Sequence, residues 1–169
     1  MKKRSSPKFF ALVFTVALVF FTAFAANAQR ANFSGDWKLD EAKSELGEFG
    51  GRGISRAIKV EQKEDAIVLA RTSPGFGGGD PVTTTITLTY NGKVVETEGF
   101  GGSKRKSTIK WSDDGKALII SSTTNFERDG QSFEIKSTEN WTVKDGVLSI
   151  VTNTTSPRGE STSKAIYTK

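Results

Sequence analysis

The chain contains neither cysteine nor histidine, and these two absences exclude more chemistry than any motif that is present. Without cysteine there is no disulfide, thiolate nucleophile or sulfur ligand, and without histidine there is no imidazole base and no ordinary zinc site. We therefore predict no catalytic residues, no cofactor and no metal centre, and we expect that the protein is not an enzyme. A hydrolase that uses a carboxylate pair stays open, because glycosidases need only two Asp or Glu side chains.

Only the first part of the chain has a long apolar run, which covers residues 9–25. It follows a basic segment, residues 2–8, and precedes Ala26-Asn27-Ala28, which fits the small-x-small rule for leader cleavage. We predict a signal peptide over residues 1–28 and a periplasmic or secreted mature chain, residues 29–169. No cysteine follows the cleavage site, which argues against a lipid-anchored lipoprotein. A retained anchor is the alternative, because the run is just long enough to span a bilayer.

Excess charge of one sign is also missing once the leader is set aside. The whole chain carries 24 Lys and Arg against 19 Asp and Glu, and four of the bases lie in the leader, so residues 29–169 have a net charge of +1. Nucleic-acid binding needs a concentrated basic face, whereas these charges alternate in sign along the chain. We expect a monomer of one domain, with no nucleic-acid partner and no stable membrane insertion after leader cleavage.

The mature chain has no apolar periodicity of helical length, and short segments of period-two alternation take its place. Gly, Asn, Asp and Pro separate these segments, and Asn91-Gly92 predicts a two-residue hairpin turn between the fourth and fifth. The ten predicted strands cover residues 33–40, 54–62, 66–72, 83–90, 93–98, 104–111, 117–126, 131–143, 147–155 and 160–168.

Ten short strands joined mostly by hairpins predict an all-β fold, an antiparallel up-and-down β-barrel in which the first strand closes on the last. A β-sandwich is the alternative, although its crossovers need longer connections. An outer-membrane barrel fits poorly, because predicted outward positions carry charges such as Lys59, Glu61 and Lys106. In the first strand, Trp37 is predicted to be a structural plug, and Gly35 to leave room for its indole.

Alternate loops of such a barrel share one end. The loops after the first, third and fifth strands each contain a phenylalanine beside a Gly-Gly pair, whereas the turns at the other end are tight and polar. This pattern predicts a mobile aromatic rim around a ligand mouth, formed by Phe49, Phe76 and Phe100. The alternative is that these phenylalanines fold inward as caps on an ordinary core.

Period-two alternation also places polar side chains inside the barrel. Arg56 shares a face with Ile54 and Ile58, and similar neighbours place the other polar residues inward. Polar groups there need partners or water, so they either orient a ligand or pair with one another and hold the strand register. The predicted ligand-binding residues of the interior are Arg56, Arg105, Ser107, Ser137, Glu139 and Tyr167.

Phe33-x-Gly-x-Trp-Lys-Leu near the start of the mature chain and Lys164-Ala-Ile-Tyr167 near its end resemble the calycins, which include lipocalins and intracellular fatty-acid-binding proteins. The continuation Leu39-Asp-x-x-Lys-Ser is similar to small secreted bacterial lipocalin-like proteins. The resemblance implies a barrel that holds a small apolar or amphipathic ligand, with Trp37 packed near one end.

The chain also departs from the fatty-acid-binding pattern. That family holds its ligand's carboxylate with an Arg-x-Tyr pair on the last strand and a further Arg two strands earlier. Tyr167 is present, but Ala165 and Ser137 stand where the two arginines would be. The two-helix lid is missing as well, and residues 40–53 take its place.

Three classes of function follow. The favoured one is a secreted carrier or sensor that holds a small hydrophobic or amphipathic ligand inside the barrel, which predicts a cavity of at least a few hundred Å³. The alternative is an envelope or extracellular interaction module with a filled barrel and no small ligand. The third, a carboxylate-dependent hydrolase, requires a second inward carboxylate beside Glu139.

Overall fold

The computed structural model describes residues 30–47, 53–99, 102–128 and 130–169, without the side chains of Phe76 and Arg128. The predicted leader lies outside these ranges. The described chain forms ten strands and two short 3-10 helices, η1 (Glu41–Lys43) and η2 (Phe76–Gly78). The strands are β1 (Gly35–Leu39), β2 (Ala57–Gln62), β3 (Ala66–Ser73), β4 (Val82–Thr89), β5 (Val95–Glu98), β6 (Lys104–Trp111), β7 (Ala117–Arg128), β8 (Gln131–Lys144), β9 (Val147–Ser156) and β10 (Gly159–Thr168).

One antiparallel sheet contains all ten strands, in the order β4-β3-β2-β1-β10-β9-β8-β7-β6-β5. The first strand lies between β2 and β10, where Lys38 is opposite Thr168 and Leu39 is opposite Tyr167. The predicted closure of first strand on last is therefore confirmed, and the fold is an up-and-down barrel rather than a sandwich. No helix among the described residues is long and apolar enough to cross a membrane.

The barrel has a gap in its wall between β4 and β5, which are the two edges of the sheet. The predicted hairpin between these strands is wrong, although its turn exists. Gly92 has a φ of +78°, and the Asn91 side chain accepts hydrogen bonds from the Thr89 hydroxyl and the Lys93 amide. The chain leaves this turn without pairing backward, and β5 begins only at Val95 and pairs with β6.

Burial changes along the barrel axis. The fully buried side chains lie near the turns after β2, β6 and β8, as Ile67, Leu118 and Leu148 show. Near the opposite end, inward positions such as Thr124 and Thr154 are half-exposed. One end is therefore packed with apolar side chains, and we call the other the open end.

Trp37 is buried in the core, as predicted, and its indole Nε1 donates to the carbonyl oxygen of Phe33 at 2.8 Å. Gly35 has a φ of +140°, and a Cβ there would lie 2.6 Å from Cε of Lys169. The Lys169 ammonium lies 4.8 Å from the centre of the Trp37 ring, so the space beside Gly35 holds the lysine that covers the indole.

Candidate functional site

A charged cluster lies inside the barrel below the open end. Glu139 on β8 is 6% exposed, and both its oxygens accept from Arg71 on β3, at 3.1 Å from Nη1 and 2.6 Å from Nη2. The indole Nε1 of Trp141 donates to the same carboxylate at 2.8 Å. The Arg71 guanidinium also lies over the Trp141 ring, 5.2 Å from its centre. Since a bidentate charged pair fixes both orientation and position, this cluster ties the two walls of the barrel together.

A second guanidinium, that of Arg105 on β6, is bound more loosely to the same cluster. Its Nη2 donates to the hydroxyl of Ser122 at 3.1 Å and lies 3.6 Å from Glu139 Oε1, beyond hydrogen-bonding distance. The side chain is 38% exposed, against 23% for Arg71. Two guanidiniums and one carboxylate leave an excess of one positive charge, and Arg105 is the group that carries it toward the open end.

The pKa shifts follow from this arrangement. Burial alone would raise the pKa of Glu139, but the charges of Arg71 and Arg105 and the hydrogen bonds it accepts hold that pKa below its ordinary value. Burial alone would lower the pKa of Arg71, but attraction to Glu139 and their hydrogen bonds raise it. For Arg105, burial lowers the pKa, and Arg71 adds to the decrease while Glu139 opposes it. All three groups are therefore charged near neutral pH.

A row of hydroxyl groups crosses the inner wall beside the cluster. The strand register places Ser107, Ser122, Ser137 and Thr154 side by side on β6 to β9. Ser107 and Ser122 are buried and share a hydrogen bond of 2.9 Å between their hydroxyls. The structure thus brings together the predicted residues Ser107, Ser137, Arg105 and Glu139.

Tyr167, also predicted inside, is buried on β10. Its hydroxyl donates to the backbone oxygen of Ser55 at 2.9 Å. Burial raises its pKa to about 12, with opposing effects from the charges of Arg71 and Glu139. Tyr167 therefore joins the interior as a neutral hydrogen-bonded group near the cluster.

Arg56 is not part of this interior site. The predicted second strand begins later than expected, at Ala57, and just before it Ser55 is buried whereas Arg56 is only partly buried. The Arg56 side chain is 40% exposed and forms an ion pair with Glu41. This ion pair, and not the charged cluster around Glu139, is where the structure places the predicted residue Arg56.

The aromatic mouth cannot be placed from the described residues. Phe49 and Phe100 lie outside them, as does the side chain of Phe76, whose backbone forms η2. The structure instead shows two other half-exposed phenylalanines near the open end. Phe126 and Phe133 lie opposite each other on β7 and β8 and belong to the inward-facing set.

Sequence reasoning missed Arg71 and Ser122. Both continue an inward alternation that the sequence contains, Ile67-Leu69-Arg71 on β3 and Leu118-Ile120-Ser122 on β7. The same period-two pattern that located Glu139 would therefore have located them.

The structure also contains a groove of about 490 Å³ on the outside of the barrel. The register of β6, β7 and β8 places most of its lining residues on the face opposite the charged cluster, and Ser122 and Ser137 of the inner hydroxyl row also line it. The residues around it are mainly polar and include Lys106, Thr108, Ser121, Thr123, Asn125, Glu134, Lys136 and Thr138.

No family model and no curated protein matches the chain. Among solved structures, the zebrafish ileal bile acid-binding protein complexed with cholic acid is similar, with a TM-score of 0.52, 18% identity, and coverage of 81% of this chain and 98% of that one. The fatty-acid-binding protein isolated from Manduca sexta gives a TM-score of 0.48 at 17% identity, with coverage of 82% and 100%. The first likeness establishes a fatty-acid-binding-like barrel fold for this chain.

Proposed function

We propose that the protein binds a small amphipathic molecule in the open half of the barrel. The observation that carries this proposal is the loosely paired guanidinium of Arg105, which faces a half-exposed interior lined by hydroxyls and phenylalanines. An incompletely compensated charge in a partly buried site is costly unless a counter-charge or water meets it. A ligand with an anionic or polar head at Arg105 and an apolar body against Phe126 and Phe133 supplies that partner.

The resemblance to secreted bacterial lipocalin-like proteins supports a role outside the cytoplasm, as a carrier or sensor released by leader cleavage. The zebrafish relative in fold is complexed with cholic acid, a compound of the amphipathic class that we propose. The interior of this chain differs from the arginine-tyrosine pattern of fatty-acid-binding proteins, since the Arg71 guanidinium is already paired with the Glu139 carboxylate. We therefore propose recognition through Arg105 and the neighbouring hydroxyls.

The experiment compares a long-chain carboxylic acid with the alcohol of equal chain length, each displacing an environment-sensitive apolar probe from the native protein. We expect saturable probe binding, with the acid displacing better than the alcohol. Arg105→Gln should remove the preference for the acid. Arg56→Gln, which removes a guanidinium that is paired with Glu41 and lies outside the charged cluster, should leave it unchanged. An absence of saturable binding by any amphipathic compound contradicts the proposal.

The second candidate is an interaction module without a small ligand, and the outer groove of about 490 Å³ is the observation that favours it. In that case the charged cluster only holds the barrel walls together. A carboxylate-pair hydrolase has less support. Among the described residues, Glu139 is the one buried carboxylate, and two arginines surround it.

A further inference from the structure

The free edge of β4 has an unusual composition for an exposed strand edge. Residues 81–92 contain no charged side chain, and within the described chain β4 pairs with β3 alone. Val82, Thr83, Thr84 and Thr85 are exposed, so this stretch meets solvent on both faces of the sheet. Edge strands present unpaired backbone N–H and C=O groups to solvent, and charged residues, proline or short length usually protect them from pairing.

The other free edge, β5, has this protection. It covers four residues, Val95–Glu98, and two of them are glutamates. The Glu96 carboxylate lies 3.8 Å from the Lys104 ammonium and 3.9 Å from that of Lys106. The two edges of one sheet therefore differ, and only β4 is long and uncharged.

We propose that β4 is a self-association edge, through which two copies of this chain pair antiparallel about a two-fold axis. In such a contact the same surface meets itself, so any charge on the edge would lie near a like charge. The uncharged β4 avoids this repulsion, whereas the glutamates of β5 would produce it. The near-neutral net charge of residues 29–169 also leaves little long-range repulsion between copies.

Threonine is well suited to this pairing. Thr83, Thr85 and Thr87 share the outer face of β4, and the Thr83 hydroxyl already lies 2.7 Å from that of Thr72 across the β3–β4 pair. Cross-strand threonine pairs are stabilising. In an antiparallel pair of β4 strands, the outer threonines of one copy would lie beside the outer threonines of the other.

The geometry of the gap limits the contact to the part of β4 near the open end. At the other end Tyr90 packs on Trp111, with ring centres 5.5 Å apart, and closes the wall. A contact over residues 82–87 is small, so we infer a weak dimer whose population depends on concentration.

The test measures the oligomeric state of the purified protein by sedimentation velocity over a range of concentrations. We expect a monomer–dimer equilibrium. Thr85→Lys should weaken the dimer by about tenfold or more, which corresponds to about 1.4 kcal/mol. The control, Thr142→Lys, adds the same charge at an exposed outer position of β8 that lies outside the outer groove, on a strand paired on both sides. A wild-type monomer at every concentration, or equal effects of the two lysines, would overturn the proposal.

The absence of cysteine allows a second measurement that does not depend on charge. Variants with one thiol, at position 83, 85 or 87, should form disulfide-linked dimers on mild oxidation, most readily at the position nearest the axis, because a disulfide requires Cα atoms within about 7 Å. Thr142→Cys is the matched control. Cross-linking that is no greater on β4 than at position 142 would mean that the copies meet elsewhere or collide at random, and either result rejects the β4 edge as the contact.

Discussion

At the scale of single residues, Glu139 has the largest number of roles. Its carboxylate accepts from Arg71 and Trp141 and neutralises part of the charge of Arg105. Arg71 is 68 residues away from Glu139 in sequence, on β3, and Arg105 lies on β6. Glu139 therefore links strands that are distant in sequence, and its removal would leave two guanidiniums without their counter-charge.

We predict that Glu139→Gln destabilises the protein by about 2 to 4 kcal/mol. Breaking a fully buried pair costs about 3–5 kcal/mol, but the exposed parts of Arg71 and Arg105 allow water to replace some of the lost interaction. Urea unfolding midpoints measure the effect. The control is Glu134→Gln on the same strand, whose exposed ion pair with Lys136 should contribute less than about 1 kcal/mol. Similar losses in both variants would contradict a structural role for the cluster.

The lowered pKa of Glu139 predicts a specific acid sensitivity. A carboxyl group with a depressed folded-state pKa contributes stability that is complete above its unfolded pKa, near 4.5, and that is lost as the pH falls through the lower folded value. The free energy of unfolding of the wild type should therefore decrease below about pH 4.5, and Glu139→Gln should flatten this decrease. Parallel pH profiles for the two proteins would show that other carboxyl groups control acid unfolding.

The two tyrosines of the chain should ionise over the same pH range, and at a higher pH than an exposed tyrosine. Burial raises the pKa of Tyr90 and of Tyr167 to about 12, from an ordinary value of 10.0. A raised pKa means that both groups contribute stability below pH 10 and lose it as the pH rises toward 12. Near-ultraviolet absorbance should show almost no tyrosinate at pH 10 in the native protein and half-ionisation in denaturant. A native tyrosine that titrates near 10 would place that ring in solvent.

At the scale of elements, β1 is the strand on which closure depends. It is short, and its direct register covers four residues on β2 but only Lys38 and Leu39 on β10, so we expect the burial of Trp37 to add to the backbone pairing that holds β1 in the wall. The Gly35-x-Trp37 motif works on one face of the strand, where the tail residue Lys169 lies beside Gly35 and over the indole of Trp37.

We expect Trp37→Ala to cost about 3 to 5 kcal/mol, the range for emptying a buried site of a large aromatic side chain. Chemical denaturation midpoints give the value. Lys38→Ala is the matched change at an exposed neighbour and should stay within about 0.5 kcal/mol. A loss under about 1 kcal/mol for Trp37→Ala would mean that β1 is held by its backbone pairing alone.

The strands also show which sequence patterns were sufficient to predict their bounds and their pairing. The predicted sixth strand, residues 104–111, matches β6, because alternation and turn residues agree there. The Asn91-Gly92 pair specified a turn but not a strand pair, since pairing depends on whether the following residues return along β4. At residues 54–56 the chain has not yet entered β2, which begins at Ala57, and Arg56 pairs with Glu41, a contact that a pattern along one strand cannot predict.

At the scale of the whole molecule, the barrel itself was predictable, because ten amphipathic strands with short turns have few ways to bury their apolar faces. The inward position of Glu139 and Arg105 followed from the same alternation. Their partners did not, because a salt bridge between β3 and β8 depends on which strands face each other across the closed barrel. The sequence thus predicted which residues face the interior better than it predicted which of them pair with one another.

The last prediction concerns the mature protein as a whole. Residues just after the predicted cleavage site make contacts in the fold: the amide of Ala31 donates to the Gly115 carbonyl at 3.0 Å, and Phe33 is fully buried. The guanidinium of Arg30 lies 5.2 Å from the centre of the Trp111 ring. Cleavage after Ala28 removes the apolar leader and keeps all these contacts.

Expression of the full-length gene in a Gram-negative host should therefore yield a periplasmic or extracellular protein that begins at Gln29, and intact mass spectrometry measures this directly. The control, Ala28→Lys, removes the small residue required before the cut and should leave the leader attached. A wild-type protein that still contains residues 9–25 would be membrane-anchored. Cleavage beyond Phe33 would remove a core side chain, so a stable product of that length would contradict the packing described for the closed end.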